Sequence, residues 1–370
     1  MAIPLLDLKA QYAGLKDELD AVWFDVMGNA AFIGGPRVKA LEDQIAEYCG
    51  TKYAVACANG TDALFLIMHA LGIGKGDEVI TTPFTFFATV ECIAHLGATP
   101  VFTDIEPGTY NMDVSQVEAA ITDRTKAILP VHIFGQCVDM DPLLEIGERR
   151  GVIVVEDACQ AIGATYKGKK AGSLARAAAF SFFPSKNLGC AGDGGIITTD
   201  DEELAKATKK MASHGSSKKY YHDTFGTNSR LDSLQAGILS VKLPHLDEWN
   251  AERAAAAGVY GELLADTTLE LPVVRDYGRA VYHLYIVKAD SAETASKVMG
   301  AMAAAGIGTA LYYPLALHEQ EVFALNDIAV PVLPVAESCD ACTFALPAFP
   351  GITREQIEDV VRVVKEALAS

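Results

Sequence analysis

The sequence is short of positive charge. Its 370 residues include 30 lysines and arginines against 48 aspartates and glutamates, so the formal net charge is −18. A surface of this sign repels polyanions, and we therefore expect neither a nucleic acid nor an acidic membrane as a partner. Any anionic ligand must be held by a few local groups rather than by the overall charge.

Long apolar runs are also missing. No stretch reaches the roughly 20 apolar residues that cross a bilayer, and the first residues lack the basic and apolar regions of a signal peptide. The eight cysteines are scattered, and the single CxxC, Cys339 to Cys342, has no second pair of zinc ligands nearby. We expect a cytoplasmic protein with reduced thiols, no membrane segment and no metal.

The sequence does contain a large supply of core residues. Half of the residues are hydrophobic, and this length suggests about two domains. Up to about residue 200, short β-branched runs such as 53–58, 78–82 and 152–155 alternate with helical patterns. Apolar strands separated by helices predict an α/β fold with a mainly parallel sheet covered on both faces.

The pattern changes near residue 250. Residues 232–248 predict a long helix with a bend near Pro244, and shorter helical and strand-like segments follow it. We therefore predict a large domain over residues 1–248 and a smaller α/β domain over residues 249–370.

Lys186 carries the first chemical signal. It follows a predicted buried strand in the segment Phe-Ser-Phe-Phe-Pro-Ser-Lys-Asn-Leu-Gly, residues 180–189. A lysine held at a sheet edge loses its proton through desolvation and then forms a Schiff base with an aldehyde. An ordinary surface lysine is the alternative that this segment alone leaves open.

Two acids, Glu156 and Asp157, end a continuous apolar strand. A buried acid is costly unless it pairs with a cation, and the pyridinium nitrogen of pyridoxal 5′-phosphate (PLP) is such a cation. The alternative is a helix N-cap, a position that favours aspartate; one of the two acids would then have that role.

Gly60, Thr61 and Asp62 join a strand to a helix, where free N–H groups, the helix dipole and the Thr61 hydroxyl suit a phosphate. Residues 83–89 follow another strand, and any one of Phe84, Phe86 and Phe87 is able to stack on a planar ring. Simple capping and core packing are the alternatives for these residues. Taken together on one sheet, the segments predict a PLP site beyond the carboxyl ends of its strands.

These segments, with residues 3–9, 32–36 and 228–236, resemble the DegT/DnrJ/EryC1/StrS family of sugar aminotransferases over essentially the whole chain. The resemblance implies the aspartate aminotransferase fold, which is fold type I of the PLP-dependent transferases. It implies that Lys186 binds the cofactor and later shuttles a proton. L-Glutamate would leave its amine on the cofactor, and a keto sugar linked to a nucleotide would take it up.

The resemblance also implies roles for the other cofactor contacts. Asp157 would hold the pyridine nitrogen, Gln160 would hydrogen-bond the ring oxygen and Phe86 would stack on the ring. The phosphate end would be formed by Gly60, Thr61, the main chain of Asp62, and Ser181. Asn228 would reach the phosphate from a partner subunit, so a homodimer with shared active sites is implied.

Residues 214–222 and 226–230 are most similar to the 3-aminotransferases of UDP-2-acetamido-2-deoxy-3-oxo-glucuronic acid, which implies a place in lipopolysaccharide or O-antigen biosynthesis. Arg230 is the candidate for the sugar carboxylate, with a salt bridge as its alternative. Tyr312, Tyr313 and His318 are the other candidate sugar contacts. Those enzymes carry His-Tyr-Pro where this chain has Tyr312-Tyr313-Pro314.

Three rival functions remain at this point. The first is an aminotransferase for a dTDP-3-keto-6-deoxyhexose or for a 4-keto sugar. The second is a PLP-dependent sugar dehydratase; related dehydratases replace the lysine by histidine, so Lys186 argues against it. The third is a non-catalytic regulatory or structural protein on the same fold, and the intact Lys186, Asp157 and Gln160 argue against that.

Overall fold

The structure is a computed structural model that describes residues 2–218, 220–326 and 328–370. Lys219 belongs to one of the segments that carry the family resemblance and lies outside the described residues.

The strands of the first two hundred residues build the central sheet and one small ribbon. In chain order they are β1 (Tyr53–Cys57), β2 (Glu78–Thr81), β3 (Thr99–Phe102), β4 (Thr125–Ile128), β5 (Ile153–Val154), β6 (Glu156–Asp157), β7 (Thr165–Tyr166), β8 (Lys169–Lys170), β9 (Ala178–Ser181) and β10 (Gly195–Thr199).

The central sheet consists of two hydrogen-bonded groups. The group β3-β2-β4-β5 is parallel throughout. In the group β1-β10-β9-β6, β10 runs antiparallel to both of its neighbours. The groups are joined where β5 leads into β6 and the Asp157 N–H donates to the carbonyl of Pro130. The prediction of a mainly parallel sheet is confirmed, and β10 is its antiparallel member.

Helices accompany these strands and continue through the rest of the chain. They are α1 (Leu8–Gly14), α2 (Lys16–Asn29), α3 (Pro36–Cys49), α4 (Gly60–Ala70), α5 (Ala88–His95), α6 (Val117–Ala120), α7 (Met140–Arg150), α8 (Glu202–Met211), α9 (Ser233–Lys242), α10 (Leu246–Leu264), α11 (Ala292–Ala304), α12 (Glu321–Leu325), α13 (Pro334–Glu337) and α14 (Arg354–Ala369). No helix of the described residues is long and apolar enough to span a membrane.

The side chains of β1 show how both faces of the sheet are covered. Successive strand residues point to opposite faces. Ala54 and Ala56 pack in one hydrophobic cluster with residues of α3 and α7. Val55 and Cys57 pack in another with residues of α4, α5 and α8. Because both faces are buried, β1 carries apolar side chains on both of them.

The C-terminal part of the chain has its own sheet and core. Its strands are β11 (Gly278–Arg279), β12 (Tyr285–Lys288), β13 (Ala310–Leu311) and β14 (Thr343–Leu346). β14 lies between β12 and β13 and is antiparallel to both, whereas β11 pairs with β7. α10, α11 and α14 pack with these strands in one cluster, which Ile3 also joins.

The predicted bend near Pro244 is confirmed. A 3₁₀ turn, Leu243–His245, separates α9 from α10, because proline supplies no N–H and crowds the preceding turn. The predicted division after residue 248 falls inside α10 and stays a prediction.

Candidate active site

A cavity of about 620 Å³ lies beyond the carboxyl ends of β1, β2, β6 and β9. Most of the residues predicted from the sequence line it, namely Gly60, Thr61, Asp62, Phe86, Asp157, Gln160, Ser181, Lys186, Tyr312 and Tyr313. The two tyrosines come from the C-terminal part of the chain, so the cavity is enclosed by both parts. The predicted edge of the sheet is therefore where these side chains meet.

Glu156 and Asp157 have different surroundings, which settles the question left open by their sequence. Glu156 is fully buried and its carboxylate accepts hydrogen bonds from the N–H groups of Gly172, Leu174 and Ala175, at 2.8, 2.8 and 3.0 Å. His132 lies 3.1 Å from the same carboxylate through Nε2. Glu156 thus organises the turn before β9 and does not face the cavity.

His132 is held in one tautomer by this arrangement. Its Nδ1 accepts a hydrogen bond from the Val138 N–H at 3.2 Å, so we assign the proton to Nε2, which donates to Glu156. His132 does not line the cavity, because its ring is fully buried against Glu156.

Asp157 presents its carboxylate to the cavity. Its Oδ2 accepts a hydrogen bond from the Thr89 hydroxyl at 2.8 Å, and Thr89 lies 3.0 Å from the hydroxyl of Thr85. Its Oδ1 accepts from the Cys159 N–H at 3.2 Å. These contacts fix the orientation of the carboxylate and still leave it able to accept from a ligand, because a carboxylate has about four acceptor positions.

Lys186 lies in the turn that follows β9 and lines the same cavity. Burial lowers the pKa of its ammonium group below the ordinary value of 10.5, while the nearby Cys159 and Asp157 act in the opposite direction. A lower pKa raises the fraction of neutral amine near pH 7, and the neutral amine is the form that attacks a carbonyl carbon.

The phosphate-sized end of the cavity is formed where α4 begins. Gly60 is the first helical residue, so its N–H and that of Thr61 have no intrahelical acceptor. A Cβ at position 60 would lie 2.7 Å from the Cβ of Ser181 and 2.9 Å from the Sγ of Cys159. Only glycine lets the start of the helix approach β9 this closely.

One predicted donor at this turn is already engaged. The Asp62 N–H donates to the side chain of Asn59, the N-cap of α4, at 2.7 Å. The Asp62 N–H is therefore not free to bind a phosphate as predicted, and the N–H groups of Gly60 and Thr61 and the hydroxyls of Thr61 and Ser181 are the groups that fit one.

Gln160 and Phe86 line the cavity as expected. The Gln160 side chain accepts from the Phe134 N–H at 2.8 Å and donates to the Tyr313 hydroxyl at 3.4 Å. Its amide nitrogen has a second N–H available for a ligand. Phe86 is 62% exposed, which excludes the alternative of core packing and leaves its ring available to a planar ligand.

Three predicted residues lie elsewhere. Asn228 and Arg230 are exposed in the loop between α8 and α9, and neither belongs to the described lining of the cavity. His318 is buried, with Nε2 3.2 Å from Glu337 and its ring beside Phe102. The expected sugar contact of His318 is therefore wrong, since the ring is buried between Phe102 of β3 and Glu337.

Sequence reasoning missed Thr89, Cys159 and His283, all of which line the cavity. Thr89 was visible only as part of an aromatic segment, and nothing in its spacing pointed to Asp157. His283 lies just before β12, almost a hundred residues after Lys186 in the chain. Only the tertiary fold brings it to the site.

The cavity of a single chain is rich in acids. Asp62, Glu91, Asp157 and Asp193 line it, and among the described residues Lys186 is the only lysine or arginine in that lining. A ligand with several phosphates would be repelled by this set of charges unless further cations approached from outside.

The residues present fit PLP. The start of α4 offers N–H groups and hydroxyls for a phosphate, Asp157 offers a buried carboxylate for a pyridinium nitrogen, and Lys186 offers a partly desolvated amine for an aldehyde. With the mainly parallel sheet and the strand-end position, these features define a PLP-dependent enzyme of fold type I.

Comparison with known proteins agrees with this class. The chain belongs to the DegT/DnrJ/EryC1/StrS aminotransferase family, whose model matches residues 15–365.

Similar proteins cover nearly the full chain. A "Pleiotropic regulatory protein" of Geobacillus stearothermophilus is 47% identical over 99% of this chain and 98% of its own length. A "UDP-N-acetyl-3-dehydro-alpha-D-glucosamine 3-aminotranferase" of Acidithiobacillus ferrooxidans is 43% identical over 99% and 98%. The "UDP-2-acetamido-2-deoxy-3-oxo-D-glucuronate aminotransferase" of Pseudomonas aeruginosa is 45% identical over 96% and 98%.

The fold matches a solved structure of the same family. The crystal structure of S. venezuelae DesV, "in complex with ketimine intermediate", has a TM-score of 0.95 and 40% identity, and covers 100% of this chain and 99% of its own. The predicted fold class and cofactor are confirmed. The protein is a PLP-dependent aminotransferase that acts on a nucleotide-linked sugar.

Proposed function

We propose that the enzyme moves the amino group of L-glutamate to C3 of UDP-2-acetamido-2-deoxy-3-oxo-glucuronate, in the cytoplasm and in the service of cell-surface polysaccharide biosynthesis. The observation that carries the proposal is the meeting of Lys186, Asp157 and the start of α4 in one cavity. When bound, PLP supplies the electron sink that amino-group exchange requires.

Lys186 and Asp157 have complementary tasks in this proposal. Lys186 holds the cofactor through its amine and, when released, moves a proton at Nζ, for which its lowered pKa suits it. Asp157 accepts from the ring nitrogen and keeps that nitrogen protonated. The hydrogen bond from Thr89 to Asp157 keeps the carboxylate in the orientation that this contact needs.

We further propose that the working unit is a homodimer whose active sites are shared. The acid-rich lining of the single-chain cavity argues for cations from a second chain. The exposed loop between α8 and α9 carries suitable groups, of which Asn228 would reach the phosphate and Arg230 the sugar. Exposed apolar side chains near the cavity and the loop, including Phe86, Phe183 and Phe225, would be covered by such a partner.

The carboxylate of the sugar separates the proposed substrate from its nearest rival. The relatives from P. aeruginosa and A. ferrooxidans act, by their names, on UDP-linked 3-oxo sugars with and without that carboxylate. Arg230 is the residue we assign to the carboxylate, because a guanidinium donates two parallel hydrogen bonds to it. Tyr312 and Tyr313 would contact the sugar from the other side of the cavity.

The test is a visible spectrum of the purified enzyme during stepwise additions. Glutamate should remove the absorption of the lysine-bound cofactor, and UDP-2-acetamido-2-deoxy-3-oxo-glucuronate should restore it. The same titration with UDP-2-acetamido-2-deoxy-3-oxo-glucose and with dTDP-3-oxo-6-deoxyglucose compares the rival sugars by kcat/KM. If only a rival sugar restores the absorption, that sugar takes the place of the proposed substrate. If the protein shows no such absorption in the presence of PLP, the role of Lys186 is contradicted.

Arg230 variants test the carboxylate contact within that experiment. Arg230→Gln should raise the KM for the glucuronate by about 10- to 100-fold, as expected for a lost charge-assisted pair. The KM for the neutral glucose analogue should change little. Arg230→Lys is the matched control, since it keeps the charge and loses the two-fold donor geometry. An equal rise in KM for both sugars would show that Arg230 does not bind the carboxylate.

A further inference from the structure

Two buried amide side chains, Asn250 and Asn187, connect the carbonyl of Ile162 to His283. The Asn250 Nδ2 donates to the carbonyl of Ile162 at 3.1 Å. The Asn250 Oδ1 accepts from the Nδ2 of Asn187 at 2.7 Å, and the same Nδ2 donates to the carbonyl of Val281 at 2.9 Å. Since carbonyls only accept, both amides have one possible orientation.

The fixed amides determine the tautomer of the imidazole. The Oδ1 of Asn187 lies 3.3 Å from the Nδ1 of His283. This oxygen has no proton to donate, so Nδ1 must carry the proton and Nε2 must keep its lone pair. The main-chain carbonyls of Ile162 and Val281 therefore set the direction of these hydrogen bonds.

The remaining ring nitrogen, Nε2, is available for a further contact. His283 lines the cavity together with Lys186. Its Nε2 has no hydrogen-bond partner among the described residues, and it is not among the polar atoms enclosed without one. The ring as a whole is only 7% exposed. Nε2 is therefore the atom that His283 offers to the contents of the site.

From this geometry we propose that His283 is a positioning residue for Lys186. Its neutral Nε2 is a fixed acceptor for an N–H of the Lys186 amine whenever that amine is not bonded to the cofactor. The inference rests on the proposed role of Lys186. It adds a defined hydrogen-bond acceptor for the released amine, and a residue of the C-terminal part of the chain supplies that acceptor.

Charges around the pair keep the imidazole neutral. Burial, followed by the charges of Lys186 and Arg253, lowers the pKa of His283 well below 6.5. Arg253 donates to the carbonyl of His283 at 3.3 Å from the opposite side. On its own side, Lys186 faces Cys159 and Asp157. A protonated imidazole would be a donor and would repel the ammonium, so neutrality is necessary for the proposed contact.

The first measurement is the imidazole ¹⁵N NMR signal of the full chain labelled with ¹⁵N-histidine and reconstituted with pyridoxamine 5′-phosphate. In this form the lysine is free, and neither amino donor nor sugar is needed. His283→Gln identifies the resonance. We expect a proton on Nδ1 and none on Nε2 from pH 6 to pH 8. A proton on Nε2, or a charged ring in that range, would overturn the proposal.

The second measurement is the pKa of Lys186 in the same form of the protein. Trace acetylation at a series of pH values, read by mass spectrometry against the exposed Lys126, reports it. His283→Phe removes the acceptor and should lower the pKa by about one unit, the size expected for a hydrogen bond to a charged group. His283→Gln keeps an acceptor oxygen and should restore most of that shift.

The two variants separate positioning from packing. If Lys186 has the same pKa in the parent protein and in His283→Phe, the contact is refuted. Equal shifts of the Lys186 pKa in His283→Phe and His283→Gln would refute it as well. If His283→Phe does not fold, His283→Leu takes its place. Failure of the sugar titration with these results intact would remove the proposed substrate and leave the Lys186–His283 pair standing.

Discussion

The contrast between Glu156 and Asp157 gives the sharpest test of how the site is built. We consider Glu156→Gln, which keeps the shape of the side chain and replaces one oxygen by an NH₂ group. In the protein, Oε1 accepts from Leu174 and Ala175, and Oε2 accepts from Gly172 and His132. The amide oxygen is able to keep the first pair only.

The magnitude follows from the two hydrogen bonds that are lost. The N–H of Gly172 and the Nε2–H of His132 would then face another donor inside a fully buried site. Hydrogen bonds to a buried charge are worth about 1.5–3 kcal/mol each, so we expect Glu156→Gln to lower the free energy of unfolding by about 3–5 kcal/mol. That is a large share of the stability of an ordinary domain.

Asp157→Asn is the matched control at the neighbouring position. The Thr89 hydroxyl is able to reverse its donor role, so the loss of stability should be about 1 kcal/mol or less. The affinity of the Asp157→Asn protein for PLP should fall by about 10- to 100-fold, because the ring nitrogen of the cofactor loses its charged partner.

Urea unfolding of the cofactor-free variants, followed by circular dichroism, measures the first effect. Fluorescence titration with PLP measures the second. A Glu156→Gln protein as stable as the parent, beside an unstable Asp157→Asn, would refute the division of labour between these acids.

Further predictions concern the helix start, the subunit arrangement and the pH dependence. Gly60→Ala should weaken PLP binding and lower the free energy of unfolding by about 1–3 kcal/mol, since the new Cβ meets Ser181; a variant with unchanged affinity in the PLP titration would contradict the close approach. Lys186→Ala and Asn228→Ala, each impaired alone, should regain up to about a quarter of the parent activity when coexpressed, because hybrid dimers hold one intact site; no recovery would rule out shared sites. His283 takes up a proton near pH 6.5 only when unfolded, so stability is lost as the pH falls through that value. The loss between pH 7 and pH 5, measured by urea unfolding, should therefore be smaller in His283→Gln by up to about 2 kcal/mol, and an identical pH dependence would show that the folded ring is protonated.

The strands that frame the site were predictable because they are short, apolar and bounded by turns. The predicted runs 53–58 and 78–82 agree with β1 and β2 within one residue. The helices α1 to α3 before β1 were not foreseen, and α2 has little amphipathic pattern to reveal it, with only Val22 and Val26 buried. The antiparallel direction of β10 depends on its pairing with β1 and β9, which no local pattern encodes.

The site itself was predictable where one strand end carries the chemistry. Lys186 and Asp157 both follow buried strands, and parallel strand ends converge at one edge. The failures involve residues whose surroundings come from distant parts of the chain. His318 is enclosed by Glu337 and Phe102, and the role of His283 depends on two asparagines separated by more than sixty residues.

The alternation of Glu156 and Asp157 along β6 has a consequence for how this gene tolerates change. Neighbouring strand residues face opposite sides, so a single inserted or deleted codon between β5 and β6 would exchange the structural acid and the cofactor acid. A register shift of one residue in this strand would then disrupt both the turn before β9 and the cavity. Length variation among functional descendants of this chain should accordingly be absent from residues 153–157.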